Sequence, residues 1–297
     1  MFAVYGEPPR ELAEAPKGAI QTSDLIPGSR SLSELVEGSV GAAVVYAPPG
    51  AIERRYVLAQ ALRALATGGG LTALAPKDRG GGRLGRELAA FGCQVFESAK
   101  RHHRICRVEK PAAPTGLEGA IAEGAPRHVD GLGWTQPGIF SWDRLDPGTA
   151  LLMECLPALA GQGADFGCGV GLLSQLVLRS PGVITLSLID IDRRAVDCAR
   201  RNVDDPRARF EWADVRTTDH SGLDFVVMNP PFHDGGREDR ALGQAFVAQA
   251  SRSLKPGGCC WLVANRHLPY EAPLAEHFSS VRLVRETGAF KVYEARR

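Results

Sequence analysis

Long apolar runs are missing from this chain of 297 residues: no stretch approaches the eighteen or more consecutive apolar residues that a membrane-spanning helix needs, so no span is expected. The amino terminus, MFAVYGEPPRELAE, lacks a basic segment leading into an apolar one, and without an export signal the cytoplasm is the expected compartment. No Cys-x-x-C pair occurs among the seven cysteines, at 93, 106, 155, 168, 198, 259 and 260, and their odd number argues against a disulfide framework and a zinc site alike. They read as buried, reduced thiols, and no metal is expected. Net charge is nearly absent, at +1, yet residues 77–110 hold nine Lys or Arg against four acids. That segment is either a solvated surface or a face toward a polyanion, with Arg101 and Arg104 as the candidate contacts.

What is present is an ordinary globular composition, 44% hydrophobic and 23% charged, in a chain long enough for two domains that each bury a core. The N-terminal half alternates in period: AAVVYA as a buried strand, IERRYVLAQALRALA as an amphipathic helix, LTALAP as a strand, RLGRELAAFG as a helix, then two strand-like runs in QVFESAKRHHRICRVEK. Residues 111–138 are rich in Pro and Gly, show no periodicity and read as a linker, which places a domain boundary near residue 125. The expected organisation is therefore residues 1–125 and 126–297, both α/β.

The second half contains a repeat of the first. DFVVMNPP resembles AAVVYAPP, SLKPGGCCWLVANR resembles ALATGGGLTALAPK, and FSSVRLVRETGAFKVYEARR resembles FGCQVFESAKRHHRICRVEK. This predicts an internal duplication of a Rossmann-like domain in which the first copy is truncated, having lost its nucleotide-binding front half, and carries Ala47 where the second has Asn229. Only the second copy is expected to be catalytic.

In DFGCGVG, residues 165–171, three glycines at alternate positions follow a strand and open a helix, so that a ligand can lie against bare main chain. The next strand ends in Asp190, where a carboxylate can accept from both hydroxyls of a ribose, and the third ends in Asp214, placed to meet an exocyclic amine. The candidate cofactor set is Asp165, Gly167, Cys168, Gly169, Gly171, Asp190, Ile191, Asp214, Val215 and Asn229. With Asn-Pro-Pro-Phe ending strand four, these motifs resemble class I S-adenosylmethionine-dependent methyltransferases, which implies S-adenosyl-L-methionine as cofactor.

Asn229, Pro230, Pro231 and Phe232 form the candidate catalytic corner. An amino group on a conjugated ring is a poor nucleophile until its geometry is pulled toward tetrahedral, and the Asn229 side-chain oxygen with the Pro230 carbonyl would each accept one of its hydrogens, held rigidly by the prolines. Phe232 would stack on the base.

Across the chain, PGIFSWDRLDPGTALL, NPPFHDG, LVANRHLPY and GAFKVY resemble the bacterial ribosomal RNA guanine-N2 methyltransferases of the RsmC and RlmG type. The resemblance implies methylation of a guanosine in ribosomal RNA, free or in an assembling subunit, and implies pocket or substrate roles for Phe140, Ser141, His233 and Lys291. Methylation of adenine N6 or a protein glutamine amide poses the same chemical problem, and a non-catalytic RNA-binding factor is the alternative of a different class.

Overall fold

The computed structural model describes residues 1–231, 233–234, 237–238 and 240–297. The chain divides into two units, Met1–Pro126 and Arg127–Arg297. In unit 1 the elements are β1 (Phe2–Tyr5), β2 (Ile20–Thr22), β3 (Val40–Tyr46), α1 (Ala51–Ala64), β4 (Leu65–Pro76), α2 (Leu84–Ala90), β5 (Phe96–Lys100), β6 (His103–Glu109) and α3 (Leu117–Gly124). In unit 2 they are β7 (Arg127–Val129), β8 (Gly133–Thr135), α4 (Pro147–Cys155), β9 (Gly161–Phe166), α5 (Leu172–Leu178), β10 (Val183–Asp190), α6 (Arg193–Asn202), β11 (Ala208–Trp212) and β12 (Leu223–Met228). The short β13 (His233–Asp234) and β14 (Arg237–Glu238) precede α7 (Arg240–Ser253), β15 (Leu254–Asn265), α8 (Glu271–His277), β16 (Ser280–Glu286) and β17 (Phe290–Arg296).

Unit 2 is a seven-stranded sheet in the order β11-β10-β9-β12-β15-β17-β16, in which β17 alone runs against its neighbours. Its central strands are continuous apolar runs because both faces are covered. Leu186, Leu188, Phe225, Val227 and Trp261 bury under α4, α5 and α6, while Val226, Met228, Cys260 and Leu262 bury under α7 and α8. Helix starts are written locally: Asp146 caps α4 with Pro147 in its first turn, and Asp192 caps α6.

Unit 1 is a six-stranded sheet in the order β2-β1-β3-β4-β6-β5 with β6 antiparallel, the unit 2 order without its outermost strand. The front half is therefore reduced, not lost, which corrects the expectation from sequence. Strands β1 and β2 remain; between β1 and β2 there is no helix, and a single 3₁₀ turn, Leu32–Glu34, precedes β3. The register aligns the two sheets residue by residue. Val40 pairs with Leu65 and, after an irregularity, Ala42 with Gly70, just as Leu223 pairs with Leu254 and then Phe225 with Cys259. Following each ladder outward sets Val4 at the place of Asp165, Gly6 at Gly167, Ser23 at Asp190 and Tyr46 at Asn229. The Pro-Pro alignment, which put Ala47 opposite Asn229, was thus one residue out. Gly6 has the left-handed φ of its counterpart, 72° against 74° for Gly167, with Val4 and Ser23 at the places of Asp165 and Asp190.

A second correction concerns residues 111–138. They contain α3, which packs on α1 with Ala120 in the core and Gly124 directly against the Tyr56 ring, and then the β7–β8 hairpin. Ala and Gly supply close approach there instead of an apolar stripe, so periodicity does not reveal the helix. The Pro-Pro corner of unit 1 is occupied from within: Arg54, 1% exposed and paired with Glu87 at 2.7 Å, donates to the carbonyls of Pro48 and Pro49. All seven cysteines are free. Among the described residues no helix is long and apolar enough to cross a membrane.

Candidate active site

The carboxyl ends of β10, β9 and β12 lie side by side in unit 2, and the connections from β9 and β12 leave toward opposite faces of the sheet, α5 on one and α7 on the other. A crevice at such a switch point is where open α/β sheets hold ligands. Gly167, Gly169 and Gly171 follow β9 with φ of 74°, 54° and 87°, in the region that disfavours side chains. They do different things. A Cβ on Gly169 would meet nothing within 4 Å and one on Gly167 only the Phe246 ring at 3.7 Å, whereas one on Gly171 would meet Val203 at 2.9 Å and Ala199 at 3.3 Å. Gly167 and Gly169 keep the crevice open; Gly171 lets α5 close on α6.

Asp190 pins this loop. One carboxylate oxygen accepts from the Gly169 amide at 2.8 Å and the other from the Asp192 amide at 2.9 Å. A carboxylate has further lone pairs, so two hydroxyls can still be accommodated. Burial raises its acid to about 6. Asp165 stands apart from the crevice: it is 1% exposed, accepts from Ser174 Oγ at 2.6 Å and so braces α5, and burial raises it to about 7. Cys168 is packed, with its thiol held far above the usual range by burial, and Val215 belongs to the core, so each offers a ligand only main chain. Ile191 is exposed, and its carbonyl accepts from Trp212 Nε1 at 2.9 Å. Asp214 caps a 3₁₀ turn and pairs with Arg216 at 2.6 Å, whose hydrogen bond holds the carboxyl below its usual range.

At the end of β12 the Asn229 side chain is oriented by two acceptors that sequence reasoning missed. Its Nδ2 donates to Asp146 Oδ2 and to Thr149 Oγ1, both at 2.9 Å, while Asp146 Oδ2 also accepts the Thr149 amide at 2.7 Å as the cap of α4. Both amide hydrogens are committed, and Oδ1 makes no bond among the described residues. The signal was legible as Asp-Pro-Gly-Thr, a capping sequence; nothing in it points across 83 positions to Asn229. Pro230 is buried and Pro231 half-buried. Phe232 and the His233 side chain lie outside the described residues.

Of the remaining candidates, Phe140 is 69% exposed and Ser141 has a φ of 49°, in a turn anchored by Ile139 against Ala195 and Cys198. Lys291 pairs with Glu271 at 2.5 Å, and Tyr293 donates to the same carboxylate at 2.6 Å. Arg101 and Arg104 belong to unit 1 and are paired with Glu11 and Glu97 at 2.7 and 3.1 Å. Among the described residues no cluster of His, Cys, Asp or Glu could hold a metal.

The glycine loop, the Asp190 strand end and the Asn-Pro-Pro corner fall inside residues 133–294, which match the methyltransferase small domain family. The chain belongs to that family. It is 35% identical over 272 residues to the ribosomal RNA small subunit methyltransferase C of Pseudomonas paraeruginosa, covering 88% of this chain and 80% of that protein. The protein of the same name from Pseudomonas aeruginosa is 32% identical over 277 residues with the same coverage. That of Shewanella loihica is 36% identical over 162 residues, a match that spans about half the length of the relative, 47%. Among solved structures, the T. thermophilus 16S rRNA N2 G1207 methyltransferase (RsmC) in complex with AdoMet and guanosine superposes with a TM-score of 0.81 at 25% identity, covering 100% of this chain and 88% of that one.

Proposed function

We propose that this chain transfers the methyl group of S-adenosyl-L-methionine to the exocyclic N2 of a guanosine in small-subunit ribosomal RNA. The observation that carries the reading is the Asn229 amide, both of whose hydrogens are committed to Asp146 and Thr149, which leaves Oδ1 to accept from an amine. The relatives' shared name and the guanosine in the RsmC structure support the acceptor. Ribosomal RNA as acceptor implies the cytoplasm as the place of work.

The crevice fits the methyl donor. Gly167 and Gly169 leave room for it, the main chain of residues 167–169 would border it, and Asp190 would accept from its ribose hydroxyls. When bound, S-adenosyl-L-methionine supplies a methyl group on a cationic sulfur. Asn229 Oδ1 and the Pro230 carbonyl accept the two N2 hydrogens and turn the nitrogen lone pair toward that carbon. Transfer would exchange the methyl carbon's bond to sulfur for one to nitrogen, with S-adenosylhomocysteine leaving, and the cationic nitrogen would pass one proton to water. No strong general base is required. Phe232 stacks on the guanine, Phe140 and Ser141 close the pocket, and His233 and Lys291 contact the acceptor strand. Residues 1–125 serve RNA recognition or scaffolding, with Ser23 at the place of Asp190 and Tyr46 at that of Asn229.

Transfer of labelled methyl to RNA, DNA and free protein in parallel, with nucleoside analysis of the product, tests the reading. Label in N2-methylguanosine is expected. Label in N6-methyladenosine or in protein, or none at all, overturns it.

A further inference from the structure

The acceptor contacts expected in unit 1, Arg101 and Arg104, are both paired with carboxylates. Four arginines in unit 2 lie over aromatic rings: Arg127 on Trp142 at 5.8 Å, Arg193 on Trp212 at 5.5 Å, Arg200 on Phe210 at 5.0 Å and Arg201 on Trp134 at 4.7 Å. Their arrangement is set by α6, which packs between the β7–β8 hairpin on one side and the edge strand β11 on the other. Buried Ala195, Val196, Cys198 and Ala199 fix its inner face, so Arg200 and Arg201 are forced outward, one toward each flank.

The charges on this surface are uneven. Within residues 191–216, Asp197 pairs with Arg193, Asp192 with Arg194, Asp205 with Arg207, Glu211 with His220 and Asp214 with Arg216. Among the described residues Arg200, Arg201 and Arg209 have no carboxylate partner; they rest on rings or on the carbonyls of Phe210, Pro206 and Ala208, and exposed Asp204 is the one acid left against them on this stretch. Trp134 stays 36% exposed, with the His128 ring edge-on at 6.4 Å. Guanidinium groups set over rings keep N–H groups for phosphate oxygens, and an exposed indole offers a face for a base.

We infer that the α6 surface, with Arg200, Arg201 and Arg209 beside Trp134 and Phe210, is a docking surface for single-stranded or looped RNA on the catalytic unit. It joins the candidate cofactor loops directly: Asn202, at the end of α6, bonds the Trp134 main chain and the Val170 carbonyl, and Trp212 bonds the Ile191 carbonyl. The inference rests on RNA being the acceptor.

Fluorescence anisotropy of a labelled, guanosine-containing single-stranded RNA over a KCl series tests it on the full chain. The double substitution Arg200→Gln and Arg201→Gln should weaken binding at least tenfold and lower the log–log salt slope by about 1.4, two phosphate contacts' worth, with S-adenosylmethionine affinity by calorimetry unchanged. Trp134→Ala should weaken binding severalfold and leave the slope alone. If the double variant binds and methylates RNA as the wild type does, or if only reversal of Arg101 and Arg104 to Glu moves the slope, the surface is elsewhere and this inference falls while the proposed activity stands. A wild-type chain that methylates no RNA overturns the activity and this inference together.

Discussion

Asn229 and Asp146 are joined by a 2.9 Å hydrogen bond from Nδ2 to Oδ2, and the same carboxylate oxygen caps α4 through the Thr149 amide. One acidic group therefore sets both where a helix begins and which way a candidate catalytic amide points. Asp146→Ala removes the cap, about 1 kcal/mol of stability, and leaves Asn229 held by Thr149 Oγ1 alone. Turnover should fall at least tenfold with S-adenosylmethionine affinity unchanged. Asp146→Asn keeps an oxygen acceptor and a competent cap, so it should recover most of both; equal loss in the two variants would show that the orientation of Asn229 does not depend on this acceptor.

The three loop glycines should separate in the same way. Gly171→Ala drives a methyl to 2.9 Å from Val203 and adds left-handed strain, so a loss of about 2–4 kcal/mol is expected in denaturant unfolding. Gly169→Ala meets open space and carries only the backbone cost of about 1–2 kcal/mol, but it narrows the crevice. Calorimetry should find the larger loss of cofactor affinity in Gly169→Ala; the reverse ranking would reassign the two residues.

Asp190 is the proposed acceptor for the ribose hydroxyls. Asp190→Ala should weaken S-adenosylmethionine by about 2–4 kcal/mol, the worth of two charge-assisted bonds. With the acid raised to about 6, the accepting form is lost as pH falls through that value, so wild-type affinity should decline from pH 7 to pH 5. A pH-independent affinity that survives the substitution would remove Asp190 from the site.

Asp165 makes a prediction about stability instead. Its folded-state acid is raised to about 7, above its unfolded value near 4, so the folded protein holds this proton more tightly. Stability from this group is greatest below pH 4 and is lost as pH rises toward 7, by roughly 1.4 kcal/mol for each unit of the shift. Asp165→Asn, which keeps an acceptor for Ser174, should flatten unfolding free energy between pH 4 and 7 relative to wild type. An unchanged profile would contradict the assignment.

Apolar runs such as VITLSLID and DFVVM were legible as central strands because parallel sheets bury both faces, and the strand-end acids and glycines followed by counting from them. The family indicated by those motifs is the family found. The retained β1 and β2 of unit 1 were not legible, because Phe2–Tyr5 and Ile20–Thr22 are too short to show a period. Tyr46 was mistaken for a neighbour of the decisive position because Pro-Pro dominates an ungapped alignment while hydrogen-bond register does not respect it. The bond from Asn229 to Asp146 and the stacking of Arg201 on Trp134 are tertiary, between residues far apart in the chain, and periodicity carries no such information.

The central claim is that Asn229 acts on the transition state of methyl transfer to guanosine N2. Single-turnover transfer to RNA with saturating S-adenosylmethionine measures that step directly. Asn229→Ala should slow it by about 10²–10³, roughly 3–4 kcal/mol, with RNA and cofactor dissociation constants little changed. An Asn229→Ala enzyme that forms N2-methylguanosine at the wild-type rate would contradict the account.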